Sequence, residues 1–147
     1  LRNKLRRIGM DALFSPDTHC QLMDAATLSA GDCAVIFSYS GQTRDMLDAA
    51  ALARAGGATL VTVTRQGANA LSRLSDIPLF VASGETLTRA GAMASRLAML
   101  TMVDMLFSCV AGRRHDEILG VLERTAEVAR SRREPSSRRL GSPVSVS

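Results

Sequence analysis

The sequence predicts an α/β fold, a three-layer sandwich in which helices flank a mostly parallel sheet. Three observations predict it. Two short continuous apolar runs, Cys33-Ala34-Val35-Ile36-Phe37 and Leu60-Val61-Thr62-Val63, have the composition of strands covered on both faces. A helical pattern of about a dozen residues lies between them. A third run occupies 77–81. Strand, helix and strand at this spacing form a βαβ unit, in which the strands are parallel and the crossover is right-handed.

The elements follow in chain order. Leu1, Leu5 and Ile8 recur at helical spacing, and Gly9 follows as a stop. With no starting Met and no N-cap, this reads as the end of a helix whose beginning lies upstream. Residues 11–14 read as a short strand. Ser15-Pro16-Asp17 is a turn and a helix start. The helix predicted over 17–28 would place Cys20, Met23 and Leu28 inward. After the run at 33–37, a helix over 44–55 repeats Met46, Leu47, Ala50, Ala51 and Ala55 at about 3.6 residues, and Gly56-Gly57 ends it. A short helix is expected over 69–74. A long helix over 87–111 is apolar nearly all round, which predicts burial on several sides. Its methionines read as core filler rather than a binding groove. A last helix is expected over 115–132, with Ile118, Leu119, Leu122 and Val128 inward. No internal repeat is present. One domain is expected over 1–133, with a disordered basic tail over 134–147.

Composition narrows the function classes. At 147 residues, with 46% hydrophobic and 22% charged, the chain has the makeup of one soluble domain with a real core. Aromatics are 3%, with no Trp and only Tyr39, which argues against a base-stacking nucleic-acid surface. The net charge of +4 belongs to the end of the chain. From Arg130 onward stand Arg130, Arg132, Arg133, Arg138, Arg139 and the single acid Glu134, whereas the body before them is balanced. That tail is either a solvated end or a weak tether to nucleic acid or a membrane surface. Cys20, Cys33 and Cys109 lack metal-type spacing, and His19 and His115 are far apart in sequence, so no metal site is expected. Unpaired cysteines and the charged start without an apolar signal region predict a cytoplasmic protein that does not span a membrane. No cofactor is expected.

The informative segment is Ser38-Tyr39-Ser40-Gly41-Gln42-Thr43. A buried strand ends there and a helix begins. A helix N-terminus offers unpaired N–H groups and the positive end of the macrodipole. Ser38, Ser40 and Thr43 add hydroxyls, and Gly41 allows close approach to the backbone. Together they make a phosphate cradle without lysine, at the C-terminal edge of the strands where ligands bind in such sheets. The same residues also suit an ordinary N-cap and βα turn. The terminal Gly-Lys-Ser/Thr of a Walker A loop is absent. The next loops on that edge supply Thr64, Arg65 and Gln66, then Ser83, Glu85, Thr86 and Arg89. Glu85 is a candidate to bind sugar hydroxyls or act as a base, or is simply solvated. Arg89 either neutralises an anion or pairs with Glu85. His19 is a candidate titrating group or lies on a polar helix face. Asp104, inside an apolar helix, requires a polar partner, best supplied by an interhelix or subunit contact.

The motif at 38–43 behind a buried strand resembles the signature of the SIS (sugar isomerase) fold, which is flavodoxin-like. The order of elements is most similar to the C-terminal effector domain of RpiR/MurR-type bacterial transcriptional regulators. Leu5-Arg6-Arg7-Ile8-Gly9, Asp17-Thr18-His19, 25–32, 57–64, 71–76 and 85–104 carry the likeness, over about residues 1–130. The resemblance implies that the chain binds a phosphosugar or related carbohydrate derivative. It implies that Ser38, Ser40 and Thr43 hold the phosphate while Gly41 shapes the loop. It also implies an earlier strand with a Gly/Ser loop, and a helix-turn-helix domain, both upstream of Leu1, so an N-terminally truncated domain is expected. The leading expectation is therefore a ligand sensor that shifts a homo-oligomer, a dimer or higher, between arrangements of attached DNA-binding domains. DNA would be contacted only through the upstream domain, and the Met-rich helix is the candidate for subunit packing. Two alternatives stand beside it. One is an aldose–ketose sugar-phosphate isomerase on the same fold, with Glu85 or His19 as base; the other is a scaffold that only dimerises.

Overall fold

The computed structural model describes residues 1–82, 91–115, 117–118, 120, 126 and 130. Three strands, β1 (Cys33–Phe37), β2 (Thr59–Arg65) and β3 (Ile77–Val81), form a parallel sheet in the order β1-β2-β3. Cys33 stands opposite Thr59 and Phe37 opposite Val63; Val61 stands opposite Ile77 and Arg65 opposite Val81. The helices are α1 (Arg2–Arg7), α2 (Thr18–Thr27), α3 (Arg44–Ala55), α4 (Ala70–Leu74) and α5 (Gly91–Arg113). The expected βαβ arrangement is present twice, with α3 joining β1 to β2 and α4 joining β2 to β3.

Side-chain alternation sorts the layers. Ile36 and Leu60 form the main core with Leu71 of α4, Ala49 and Ala50 of α3 and Ala25 of α2. Phe37, on the other face of β1, borders a cavity lined by Ser95, Met99, Leu100 and Val103 of α5. The sheet therefore lies between an α2–α3–α4 layer and α5. The α3 face is built from small residues, Ala49, Ala50 and Ala53, so backbones approach closely. At Gly56 a Cβ would overlap the carbonyl oxygen of Leu28, so the α3 stop also serves as the contact with the end of α2.

Several expectations are corrected. Residues 11–14 form no strand, and Leu13 is 79% exposed. Among the described residues the sheet consists of β1, β2 and β3, and residues 11–14 pair with neither of its edges. In α2, Cys20 and Met23 point outward; Leu22 and Ala25 pack on the core, and Leu28 is half-buried. The Asp17 cap sets the phase of that stripe, and Ala25 admits the Ala-rich face of α3. In α3, Ala51 and Ala55 are exposed, because its buried face turns to Ala49 and Ala53. Helix α5 is not covered on several sides: Met93, Leu97 and Leu100 are 70%, 58% and 61% exposed. The expected helix residues 87–90, most of the last helix and the tail at 134–147 lie outside the described residues. Within 115–132, Ile118 is buried as expected.

Candidate functional site

The C-terminal ends of all three parallel strands open on one edge, and the 38–43 loop stands there. Its entry is an extension of the sheet: Ser38 N–H donates to the carbonyl of Val63 at 3.0 Å, and Arg65 N–H donates to that of Tyr39 at 2.8 Å. Gly41 N–H then donates to the carbonyl of Ser38 at 3.1 Å, which closes a tight turn. Gly41 holds φ at +65°, a conformation that side-chain-bearing residues rarely adopt.

The hydroxyls divide by position. Ser38 is buried, and its Oγ lies 3.1 Å from Thr43 Oγ1, so the two ends of the loop face each other. The Ser40 hydroxyl is exposed and accepts from the N–H of Gln42 at 3.2 Å. Thr43 is the N-cap of α3 by backbone geometry, yet its side chain makes no cap hydrogen bond. The first-turn N–H groups of α3 therefore face the loop without a side-chain oxygen from their cap. The side-chain N-cap bond expected of an ordinary capped βα turn is therefore not made by Thr43. The first turn carries one acid, Asp45.

The loop after β2 is placed beside this one, but Arg65 is the last residue of the strand and Thr64 lies within it. Its hydroxyl is buried, donates to the carbonyl of Arg65 at 3.1 Å and accepts from Asn69 Nδ2 at 3.0 Å, so it is committed to the interior. Arg65 and Gln66 are exposed. Glu85, with Ser83, Thr86 and Arg89, lies outside the described residues. His19 is exposed on α2. Asp104 finds the interhelix partner its position required: it pairs with Lys4 of α1, whose ammonium also lies 5.5 Å from the Phe107 ring centre. Among the described residues no group of three His, Cys, Asp or Glu could hold a metal ion.

Sequence reasoning passed over Asn69. The Asn69–Ser72 spacing is a readable capping-box signal: Asn69 Oδ1 accepts from Ser72 N–H at 2.9 Å, and Ser72 Oγ accepts from Asn69 N–H at 3.0 Å. Nothing in the sequence signals that its side chain lies against Gly41, where a Cβ would overlap the Asn69 amide.

The family model of the SIS domain matches residues 1–109. The chain belongs to the SIS-domain family. Over this SIS domain, an uncharacterised HTH-type transcriptional regulator of Caldanaerobacter subterraneus is 42% identical across 130 residues, covering 88% of this chain and 46% of that protein. The HTH-type regulator YbbH of Bacillus subtilis is 32% identical across 133 residues, covering 90% and 47%. The chain thus spans about half the length of these curated relatives. Among solved structures, Vibrio vulnificus NanR complexed with ManNAc-6P matches the SIS domain with a TM-score of 0.80 and 31% identity, over 91% of this chain and 50% of that one. A putative sugar-phosphate isomerase from Listeria monocytogenes shares the fold, with a TM-score of 0.70 and 18% identity over 86% and 65%.

Proposed function

We propose that this SIS domain is the phosphosugar-sensing effector part of a bacterial transcriptional regulator, and that the phosphate sits between the 38–43 loop and the start of α3. The observation that carries this reading is the pairing of Ser38 and Thr43 hydroxyls at 3.1 Å before a helix whose N-cap side chain accepts from none of its first-turn N–H groups. An anion there gains the helix N-terminus, the loop hydroxyls and donors already in place, with no loop to reorganise. Ser40 turns its hydroxyl from Gln42 to the ligand, and Gly41 keeps the loop open to it. Glu85 is assigned to the sugar hydroxyls. The likeness to a regulator solved with ManNAc-6P supports a phosphosugar over other anions.

The relatives named as HTH-type regulators support a sensor rather than an isomerase. DNA is then contacted by a helix-turn-helix segment outside residues 1–147, in the cytoplasm, and no cofactor takes part. Helix α5 is assigned to contact a second copy of the chain. By length and composition, Met93–Arg113 would also suit a bilayer. Arg96 and Asp104 interrupt its apolar surface, and Asp104 is tied to α1 of the same domain, which favours a protein partner.

A thermal-shift panel of sugar phosphates and their unphosphorylated sugars tests the reading. At least one phosphorylated member raises the unfolding midpoint of the wild type. In Ser40→Ala/Thr43→Ala that shift disappears, each lost charge-assisted hydrogen bond costing about 1.5–3 kcal/mol of binding. Equal shifts in variant and wild type would sink the assignment.

A further inference from the structure

The 38–43 loop does not rest on its own strand alone. The floor beneath Gly41 is the side-chain amide of Asn69, which is 6% exposed. Three hydrogen bonds fix that amide. Nδ2 donates to Thr64 Oγ1 at 3.0 Å and to the carbonyl of Gly67 at 3.1 Å, while Oδ1 accepts from the N–H of Ser72 at 2.9 Å. Two acceptors on one side and a donor on the other determine which end of the amide is nitrogen. The first turn of α4 then reaches the loop itself, with Leu71 N–H donating to the carbonyl of Gly41 at 3.1 Å. Gly41 is thus held from both sides: its N–H by Ser38, its carbonyl by Leu71. Its Cα stands on a buried amide that has no freedom to move away.

We propose that Asn69 is a positioning residue for the phosphate cradle, tethering α4 and β2 into a platform that sets the height of Gly41 and so the aim of the Ser40 and Thr43 donors. The inference rests on the cradle reading above and deepens it. Asn69 is buried beneath the loop, so it acts through Gly41 rather than on the ligand. Its two chemical ends do separate work. The oxygen caps α4, a folding role; the nitrogen ties that cap to Thr64 in the sheet, and this second tie fixes where the cap lies relative to the loop. Recognition built on several converging donors weakens steeply when their support shifts by a fraction of an ångström.

The two roles can be split by substitution. Asn69→Ser keeps an oxygen able to cap α4 and removes the Nδ2 donor. Thr64→Val removes the acceptor on the other side of the tether and leaves Asn69 in place. Leu22→Ala, distant from the loop on α2, lowers stability without touching the tether. Amide NMR titrations of the protein with inorganic phosphate and with ManNAc-6P read both loop geometry and affinity. The wild type should show ligand-dependent shifts at the 41–45 amides. Asn69→Ser and Thr64→Val should displace the free-state Gly41 resonance and weaken the bound probe by about tenfold, the scale of one buried hydrogen bond. Leu22→Ala should unfold more easily and bind as the wild type does. If Asn69→Ser does not fold, Thr64→Val carries the comparison alone. Wild-type affinity in a folded tether variant would overturn the role of Asn69 while leaving the cradle standing. Absence of any probe-dependent shift at 41–45 in the wild type would remove the cradle, and the positioning role with it.

Discussion

The proposed anion site asks for few residues: Ser38, Gly41 and Thr43. Two hydroxyls close the loop, one glycine turns it, and an uncapped helix supplies the remaining donors. Behind them, Thr62 presents the opposite situation. It is fully buried in β2, and its hydroxyl has no hydrogen-bond partner among the described residues. An unpaired buried hydroxyl costs about 1–3 kcal/mol. Thr62→Val should therefore leave stability unchanged or raise it, as read by the urea midpoint at constant m-value. A clear loss of stability would show that the hydroxyl has a partner. The residues of the proposed cradle stand out in the sequence because Ser38, Ser40, Gly41 and Thr43 fall close together between two periodic segments. Asn69 does not, because its contact with Gly41 joins loops from different βα units. Thr64 and Arg65 belong to β2 rather than to the expected loop, because an apolar run gives no sign of where its strand ends.

Short polar clips set the limits of the elements. Asp17 accepts from Cys20 N–H at 2.9 Å and starts α2; Asp32 accepts from the N–H and hydroxyl of Ser29, both at 2.9 Å, and shapes the turn into β1. The backbone N–H bonds from Cys20 and from Ser29 hold these two carboxyls below the usual carboxylate pKa of about 3.9. Folded values below unfolded ones mean that the stabilisation is present above that usual value and is lost as pH falls through the folded values. Denaturation midpoints should fall from about pH 5 to pH 3 and fall less steeply in Asp17→Asn/Asp32→Asn. Identical pH profiles would contradict this account of the clips. Helix α3 and all three strands were legible from period and run length. The inward face of α2 was not, since Leu22, Met23 and Ala25 are all apolar and only packing against the alanines of α3 selects among them. The strand expected at 11–14 is absent: Asp11-Ala12-Leu13-Phe14 is too short a pattern to fix pairing, and Leu13 and Phe14 stay exposed rather than covering an edge of the sheet.

At the scale of the molecule, the sheet is covered unequally. The α2–α3–α4 side is packed with small residues, whereas α5 turns Met93, Leu97 and Leu100 to solvent in one stripe. The all-round apolar character of α5 was legible, but a single sequence does not say whether its cover comes from the same chain or another. If a second copy supplies it, Leu97→Glu/Leu100→Glu should halve the mass seen by sedimentation while leaving the fold intact. An unchanged mass would rule out this face as the subunit contact. A sensor needs such a contact, because ligand energy reaches attached DNA-binding domains only by favouring one arrangement over another. The central claim is that the domain recognises its ligand through the phosphate. It is tested most directly by calorimetric titration of the protein with ManNAc-6P and the other sugar phosphates, each against its unphosphorylated sugar. The account predicts that at least one phosphate ester binds about a hundredfold more tightly than its parent sugar, the worth of two or so charge-assisted hydrogen bonds. Equal affinity for each ester and its parent would contradict it.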